Sequence, residues 1–377
     1  ICHSIVSAVG QLNRPSYPDI VGRDSFKGPS WHSARWNHEE NIEGKNIAVI
    51  GTGCSAIQFI PRVAEEAAST TIFQRTPNWL MPRPQYQKEL PQNLLWCFDH
   101  IPFYNNWFRL HLFWRSHEGL LPRLTVDPEW DGNEDNSVSA SNHELGFMLR
   151  LYLESEFNDD PELLEKVTPR YTMGAKRFVI DDGLWATTLK RPDVTLCTDH
   201  IAEITENGLR TEDGTLYETD AIIYGTGFKA SEFLTPMKIV GREGIDLHEQ
   251  WDGVAQAYLG IVSPNFPNLF FMYGPNTNIV INGSIIYFSE CEAHYISRYI
   301  QYLLENDITA LDVKKEVHDE YNVRIEEGNS QMAWGASSVN SWYKNPHGKI
   351  TQNWPFSLLE YWQQTREINP NDYIELE

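Results

Sequence analysis

Two stretches of this sequence hold residues whose types and spacing suit work on a phosphorylated ligand, and a third sets two cations side by side. The first is Asn46-Ile-Ala-Val-Ile-Gly51-Thr52-Gly53-Cys-Ser55-Ala56. A short apolar run of strand length enters a Gly51-x-Gly53-x-x-Ala56 turn and continues with helical periodicity. The first glycine permits the tight turn, the second lets a pyrophosphate approach the backbone, and Ala56 lets helix and strand pack closely. The helix start then offers unpaired N–H groups, including those of Thr52, Ser55 and their neighbours, to phosphate oxygens. A bare glycine pattern also fits a plain loop; the flanking strand and helix favour a dinucleotide site. The second stretch is Gln74-Arg75-Thr76, at the end of the next strand, where an NAD site carries Asp or Glu for the ribose 2′-hydroxyl. A carboxylate would repel a 2′-phosphate, whereas a guanidinium pairs with it bidentately. NADP is favoured, the alternative being that Arg75 is a solvated surface cation. The third is Lys176-Arg177, two adjacent cations that by themselves read as an exposed basic pair at a strand start.

The elements that must position these residues follow from periodicity. Ile47–Ile50 predicts a buried parallel strand, followed by a helix to about Ala68 and a strand over Thr70–Gln74, one βαβ unit. Gln11 to Glu40 is rich in Pro, Gly and polar residues and predicts an extended crossing. From Pro77 to about Thr168 the chain is Trp-rich, with Trp107, Leu110, His111 and Trp114 at helical spacing; it reads as a helical insertion over about 80–168 covering the site. Strands are expected at Asp193–Cys197, His200–Thr205, Gly208–Thr211 and Thr215–Tyr217, with hairpin turns at Asn207-Gly208 and Asp213-Gly214 because these residues tolerate positive φ. Asp220–Tyr224 predicts a further strand, ending in a second glycine turn, Gly225-Thr226-Gly227. Ile1 to Gly10 reads as a strand already under way.

Composition narrows the function. The net charge of −22 over 377 residues argues against nucleic acid, which needs a basic face. An anionic ligand must therefore be held by a few local cations. The five cysteines, widely spaced and without a C-x-x-C pair, suggest neither a disulfide framework nor zinc and fit a reducing cytoplasm. The most aromatic region, Ile101 to Leu121, is interrupted by Arg109, His111, Arg115, His117 and Glu118, so no membrane span is expected. Among twelve His and five Cys no metal-ligand spacing and no catalytic triad emerges.

Just before the first glycine turn lies Phe26-Lys-Gly28-Pro-Ser-Trp-His32-Ser-Ala-Arg-Trp36. This F-x-G-x-x-x-H-x-x-x-W pattern resembles the fingerprint of Baeyer-Villiger monooxygenases, with Asn37 where the family usually continues with Pro or Asp. The resemblance implies an α/β flavoprotein of two dinucleotide-binding (Rossmann-like) domains. Residues 1–40 would be the end of the first FAD-domain segment and the crossing, 41–225 the NADP domain with its helical insertion, and 226–377 the C-terminal part of the FAD domain. It implies FAD and NADP as cofactors, and a ketone and molecular oxygen as substrates. The ketone would become an ester or lactone through a C4a-peroxyflavin. It assigns Gly51, Thr52, Gly53, Ser55 and Ala56 to NADP, Arg75, Thr76 and Lys176 to its 2′-phosphate, and Arg177 to catalysis. Thr172 and Met173 stand where the family more often has prolines. Gly225-Thr226-Gly227 would lie near the flavin, with Gly225 in place of the family's alanine. Phe26, Gly28, His32 and Trp36 would be structural. Pro264–Asn278 and Gly283-Ser-Ile-Ile look like the segment closing over the flavin, and Ser341-Trp-Tyr-Lys-Asn and Thr351-Gln-Asn-Trp-Pro-Phe are most similar to the 4-hydroxyacetophenone monooxygenase type. The family's FAD glycine fingerprint is absent, so a C-terminal fragment of a longer enzyme is expected, with a homodimer as the assembly to test. Two alternatives stay open: a flavin monooxygenase oxidising nitrogen or sulfur, and a non-catalytic NADP-binding module.

Overall fold

The computed structural model describes residues 2–84, 86–115, 118–132 and 136–376. Ile1, where the first expected strand begins, and His117 lie outside the described residues, as does the side chain of Trp114. In chain order the first elements are β1 (Ile5–Ser7), β2 (Ser30–His32), β3 (Asn46–Ile50), α1 (Cys54–Glu66), β4 (Ser69–Phe73) and β5 (Leu80–Pro82). Helices α2 (Gln92–His100), α3 (Tyr104–Arg115), α4 (Ala140–Phe157) and α5 (Pro161–Val167) follow. Next come β6 (Val179–Asp181), α6 (Leu184–Leu189), β7 (Val194–Cys197), β8 (Ile201–Thr205), β9 (Gly208–Thr211), β10 (Leu216–Glu218) and β11 (Ala221–Tyr224). The remainder holds α7 (Leu247–Trp251), β12 (Leu269–Phe271), α8 (Ile285–Asn306), β13 (Ala310–Val313), α9 (Lys315–Ser330), α10 (Ala333–Ala336), α11 (Leu358–Gln364) and β14 (Tyr373–Leu376).

A five-stranded sheet in the order β2-β11-β3-β4-β7 organises the middle of the chain, and all its pairings are parallel. Its strands are continuous apolar runs because both faces are covered. Ile47 and Val49 point into one cluster with Ile60, Val63, Ile72, Leu189 and Ile223. Ala48 and Ile50 point the other way, to Phe73, Ile204, Leu209, Ile222 and Tyr224. Strands β8, β9 and β10 form the antiparallel meander that supplies part of that second cover. The hairpin turns stand where expected, but for different reasons. Gly214 has φ 89°, whereas Gly208 is an extended strand residue, and a Cβ there would lie 2.2 Å from the Tyr217 carbonyl oxygen. Close approach, not positive φ, requires that glycine.

The helical stretch departs from expectation in two ways. It contains a strand, β5, which pairs in parallel with β6 and ties the stretch back to the segment carrying Lys176 and Arg177. Its periodic residues on α3 also face outward: Trp107 and Leu110 are exposed, and α2 buries no residue at all. What packs inward is α4, through Leu145 and Leu149, which join Trp79, Met173 and Phe178 against Val280, Trp334 and Tyr343 from the C-terminal part. This shared cluster sets Arg177 against residues about a hundred positions later in the chain.

The N-terminal stretch is strand only over Ile5–Ser7, and it pairs in parallel with β12. Residues 2–10 thus belong with the C-terminal part, whose core runs along α8 through Phe288, Tyr295, Tyr299 and Leu303. Two chain segments cross between the parts side by side. Ser16 N–H donates to the Gly227 carbonyl at 2.9 Å, Lys229 N–H to the Arg14 carbonyl at 2.9 Å, and the Thr226 hydroxyl to the Ser16 carbonyl at 2.5 Å. Among the described residues no helix is long and apolar enough to cross a membrane. Ile223, fully buried in β11 between β2 and β3, tests the sheet: Ile223→Ala should lower unfolding free energy by about 2–5 kcal/mol in a urea titration.

Candidate functional site

Strand β3 gives way to Gly51, which takes φ 101°, a left-handed conformation that glycine adopts without strain. A Cβ on Gly51 would lie 2.6 Å from the Gly225 carbonyl oxygen, and one on Gly225 would lie 2.9 Å from the Ala56 Cβ. The two glycine turns are therefore pressed together, with Ala56 filling the remaining space. Gly225 in place of alanine follows from this contact. Gly53, at the N-cap of α1, is different. Its φ of −66° and ψ of 178° suit any residue, and nothing lies within 4 Å of the position its Cβ would take. The backbone there is open to a ligand. Ile57 N–H bonds the Gly53 carbonyl at 3.1 Å, so the N–H groups of Cys54, Ser55 and Ala56 have no partner within the helix. They form an anion site together with the helix dipole. Thr52 is buried, and Asn78 donates from Nδ2 to its carbonyl at 2.5 Å.

Two cations stand beside this turn. Arg75 is exposed just past β4, and Lys176 is half-buried with its ammonium 5.1 Å from the centre of the Tyr171 ring. Among the described residues neither forms an ion pair, although the chain carries 52 acidic residues against 30 basic ones. Burial, and then the nearby Arg75 charge, push the Lys176 ammonium down to about 8. Two unpaired cations in an acidic protein cost electrostatic energy that an anion would recover. Thr76 follows directly and is half-buried.

Arg177 looks the other way. Its Nη1 donates to the Ile279 carbonyl at 3.0 Å, fixing the guanidinium at the seam between the two parts, while the residue remains exposed. Its charge reaches the Cys54 thiol and the Tyr273 and Tyr343 phenols. Burial pushes the Cys54 thiol up despite that charge, and its sulfur donates to the Phe178 carbonyl at 3.7 Å. It stays a thiol.

Comparison with known proteins places this arrangement. The chain is 32% identical over 374 residues to a Baeyer-Villiger monooxygenase of Pseudomonas aeruginosa, covering 98% of this chain and 67% of that protein. It belongs to the Baeyer-Villiger monooxygenase family. The family model for flavin-binding monooxygenase-like proteins matches residues 2–110. An uncharacterized monooxygenase, y4iD, of Sinorhizobium fredii is 33% identical over 374 residues, covering 99% of this chain but 56% of its own length; the chain spans little more than half of that relative. A crystal structure of OTEMO in complex with FAD and NADP superposes with a TM-score of 0.78 at 26% identity, covering 100% of this chain and 76% of the other. The fold is that of a two-dinucleotide-binding-domain Baeyer-Villiger monooxygenase, as the sequence implied.

The family fingerprint forms the edge of the parallel sheet. Its strand β2 pairs with β11, and Gly28 allows the approach, since a Cβ there would lie 2.6 Å from the Asp220 carbonyl oxygen and 2.7 Å from the Phe26 ring. Trp36 packs edge-on against Trp31 and Phe59, with centroids 5.9 and 5.4 Å apart. His32 is fully buried between Tyr17 and Phe228. Ala34 N–H donates to its Nδ1 at 3.1 Å, which leaves the proton on Nε2, an atom near Gly227 with no hydrogen-bond partner. Burial holds the ring below its ordinary value, so it is neutral at pH 7.

Sequence reading passed over Asn78, Gln11 and Glu292, and took Tyr273 only as part of the Pro264–Asn278 segment. Asn78 carries no signal beyond following a turn. Glu292 does: it interrupts the apolar stripe Phe288, Cys291, Tyr295, Tyr299 of α8 and is completely buried. The contrast between the two glycines yields a test. Gly51→Ala should destabilise by more than about 2 kcal/mol, because φ and the Gly225 contact both forbid a side chain. Gly53→Ala should cost under about 1 kcal/mol in the same urea titration.

Proposed function

We propose that the complete protein is an FAD- and NADPH-dependent monooxygenase that inserts oxygen beside a ketone carbonyl, giving an ester or lactone. The observation that carries this reading is the disposition of three cations around one open turn. Arg75 and Lys176, which have no carboxylate partner among the described residues, suit a 2′-phosphate; Arg177, anchored to Ile279 across the seam, suits a second negative charge.

The residues present fit NADP and the flavin-facing part of an FAD site. Gly51 to Ala56 would take the NADP pyrophosphate on backbone N–H groups, with Thr52 held in place by Asn78, Ser55 exposed at the helix start, and Arg75, Thr76 and Lys176 on the 2′-phosphate. Gly225, Thr226 and Gly227 would face the flavin together with the turn from Tyr273 to Asn278. Around that region several buried polar atoms have no hydrogen-bond partner among the described residues, including both amide atoms of Gln11, His32 Nε2, Glu292 Oε1 and both amide atoms of Asn282. Buried groups of this kind ordinarily mark a missing partner. When bound, the nicotinamide and flavin supply the electrons and the activation of oxygen. The chain's own task is electrostatic and steric. The Arg177 guanidinium supplies a fixed cation for the oxyanion that develops at the attacked carbonyl. The neutral His32 and the aromatic packing of Trp36 hold the crossing in place and move no proton. An aryl ketone is the substrate class we favour. Five free thiols fit a cytoplasmic protein, and we carry a homodimer as the assembly, for which the exposed aromatic faces of α2 and α3 offer apolar area.

Arg177→Ala in the complete protein tests the catalytic assignment. NADPH oxidation should persist within about tenfold while ester formation falls by at least about a hundredfold. Product analysis by gas chromatography decides, and unchanged ester yield refutes the role. Sulfide oxidation without ester from a ketone panel would instead favour a nitrogen- or sulfur-oxidising enzyme.

Lys176 gives a pH test. Its ammonium is protonated below about pH 8 and neutral above, so affinity for the 2′-phosphate should weaken as pH rises from 7 to 9. NADPH binding should loosen by about tenfold over that range, whereas Lys176→Met should bind weakly throughout and show a flatter profile.

A further inference from the structure

Glu292 is a carboxyl group with no place in the reaction just described. It lies on α8 with no exposed surface, in a helix face otherwise made of Phe288, Cys291, Tyr295 and Tyr299. Its Oε2 accepts from Tyr273 N–H at 2.9 Å, while Oε1 has no hydrogen-bond partner among the described residues. The Thr277 hydroxyl lies beside the carboxyl as well.

The turn above it is held in an unusual shape. Tyr273 and Asn276 take φ of 55° and 58°, a region costly for residues with a side chain. Gly274 is pressed against the next loop, where a Cβ would lie 2.1 Å from the Gly260 carbonyl oxygen. Asn276 is fastened through its side chain to the Ile350 and Asn353 carbonyls at 3.1 and 3.2 Å. The Tyr273 hydroxyl donates to Asn278 Oδ1 at 2.9 Å, and its ring lies near Gln11 and within reach of the Arg177 charge. Tyr273 is thus where the N-terminal segment, the Arg177 segment and the C-terminal part meet, and its backbone N–H is held by one carboxyl oxygen.

We propose that Glu292 is a positioning residue for the flavin-facing turn: its buried carboxyl clamps the left-handed backbone of Tyr273, and ionisation of that carboxyl sets how firmly the clamp holds. The proposal rests on the flavin reading given above. Burial raises Glu292 to about 7, so the group changes charge in the working range. The groups facing it are Tyr273 and Thr277 from the turn, Tyr361 from α11 and Cys291 from α8 itself. None is a cation. A carboxylate accepts the Tyr273 N–H bond more strongly than the neutral acid does, so the turn is held more tightly above pH 7 than below.

The test uses the complete protein stripped of flavin and titrated with FAD by fluorescence. In the wild type the dissociation constant for FAD should fall about fivefold between pH 6 and 8. Glu292→Gln keeps an acceptor of the same shape but cannot ionise; it should bind FAD within about threefold of the wild type at pH 6 and show no pH dependence. Glu292→Ala should weaken FAD binding by at least about tenfold at both pH values. A Glu292→Gln profile matching the wild type overturns the proposal, and so does a wild-type profile that is already flat. Should Glu292→Ala fail to fold, Glu292→Gln alone decides. A wild-type protein that binds no FAD at either pH refutes the flavin reading itself, a result distinct from an unaltered pH profile in a protein that binds FAD well.

Discussion

The residue that follows β3 and the residue that follows β11 can carry no side chain. Gly51 and Gly225 abut so closely that a Cβ on either would strike the other turn or Ala56. This one contact brings the nucleotide turn and the return crossing to a single point at the carboxyl ends of the parallel strands, where ligands sit in sheets of this kind. It also sets where the α1 N-terminus points, since Ala56 occupies the first turn of that helix. The residues proposed for cofactor binding are arranged around this point: Gly53 opens beside it, Arg75 lies two residues past the neighbouring strand, and Thr226 begins the crossing.

The second organising element is the apolar cluster that α4, Trp79, Met173 and Phe178 share with Val280, Trp334 and Tyr343. Apolar burial has no direction of its own, yet here it determines a polar geometry. By fastening the segment around residue 177 to the C-terminal part it lets Arg177 reach the Ile279 carbonyl. A permanently charged group is thereby carried on a packed surface rather than a free loop, which keeps its reorganisation small.

Much of this was legible in the sequence where a local rule and a tertiary need coincide. The β3-α1-β4 unit reads correctly because its apolar run, glycine turn and helical periodicity agree with one another, with ends displaced by only a residue or two. Arg75 was visible from its place after the second strand, where an NAD site carries an acid; Lys176 stood out only through the family resemblance, since by itself it reads as half of an exposed basic pair. Other features were hidden because they depend on partners far away in sequence. Strand β5 has three residues and includes Pro82, so nothing local marks it as a strand; its partner β6 lies about a hundred residues on. Gly208 was placed correctly for the wrong reason, since the Tyr217 carbonyl that excludes a side chain cannot be seen from the turn itself. The outward-facing aromatics of α2 and α3 show the limit of periodicity, which identifies a helix but not what covers it. Glu292 was readable as a lone acid within an apolar stripe, but its purpose depends on Tyr273, nineteen residues earlier and across a turn.

The paired crossing of residues 14–16 and 226–229 has a mechanical meaning. A part joined by one strand can swivel about any bond in it; a part joined by two hydrogen-bonded strands cannot twist without breaking their mutual bonds. Such a ribbon bends most easily about the axis lying across both strands, which reduces the relative movement of the two parts to something near a single angle. The seam containing Arg177 lies between those same parts, so the ribbon and the shared apolar cluster fix the guanidinium's place from two sides.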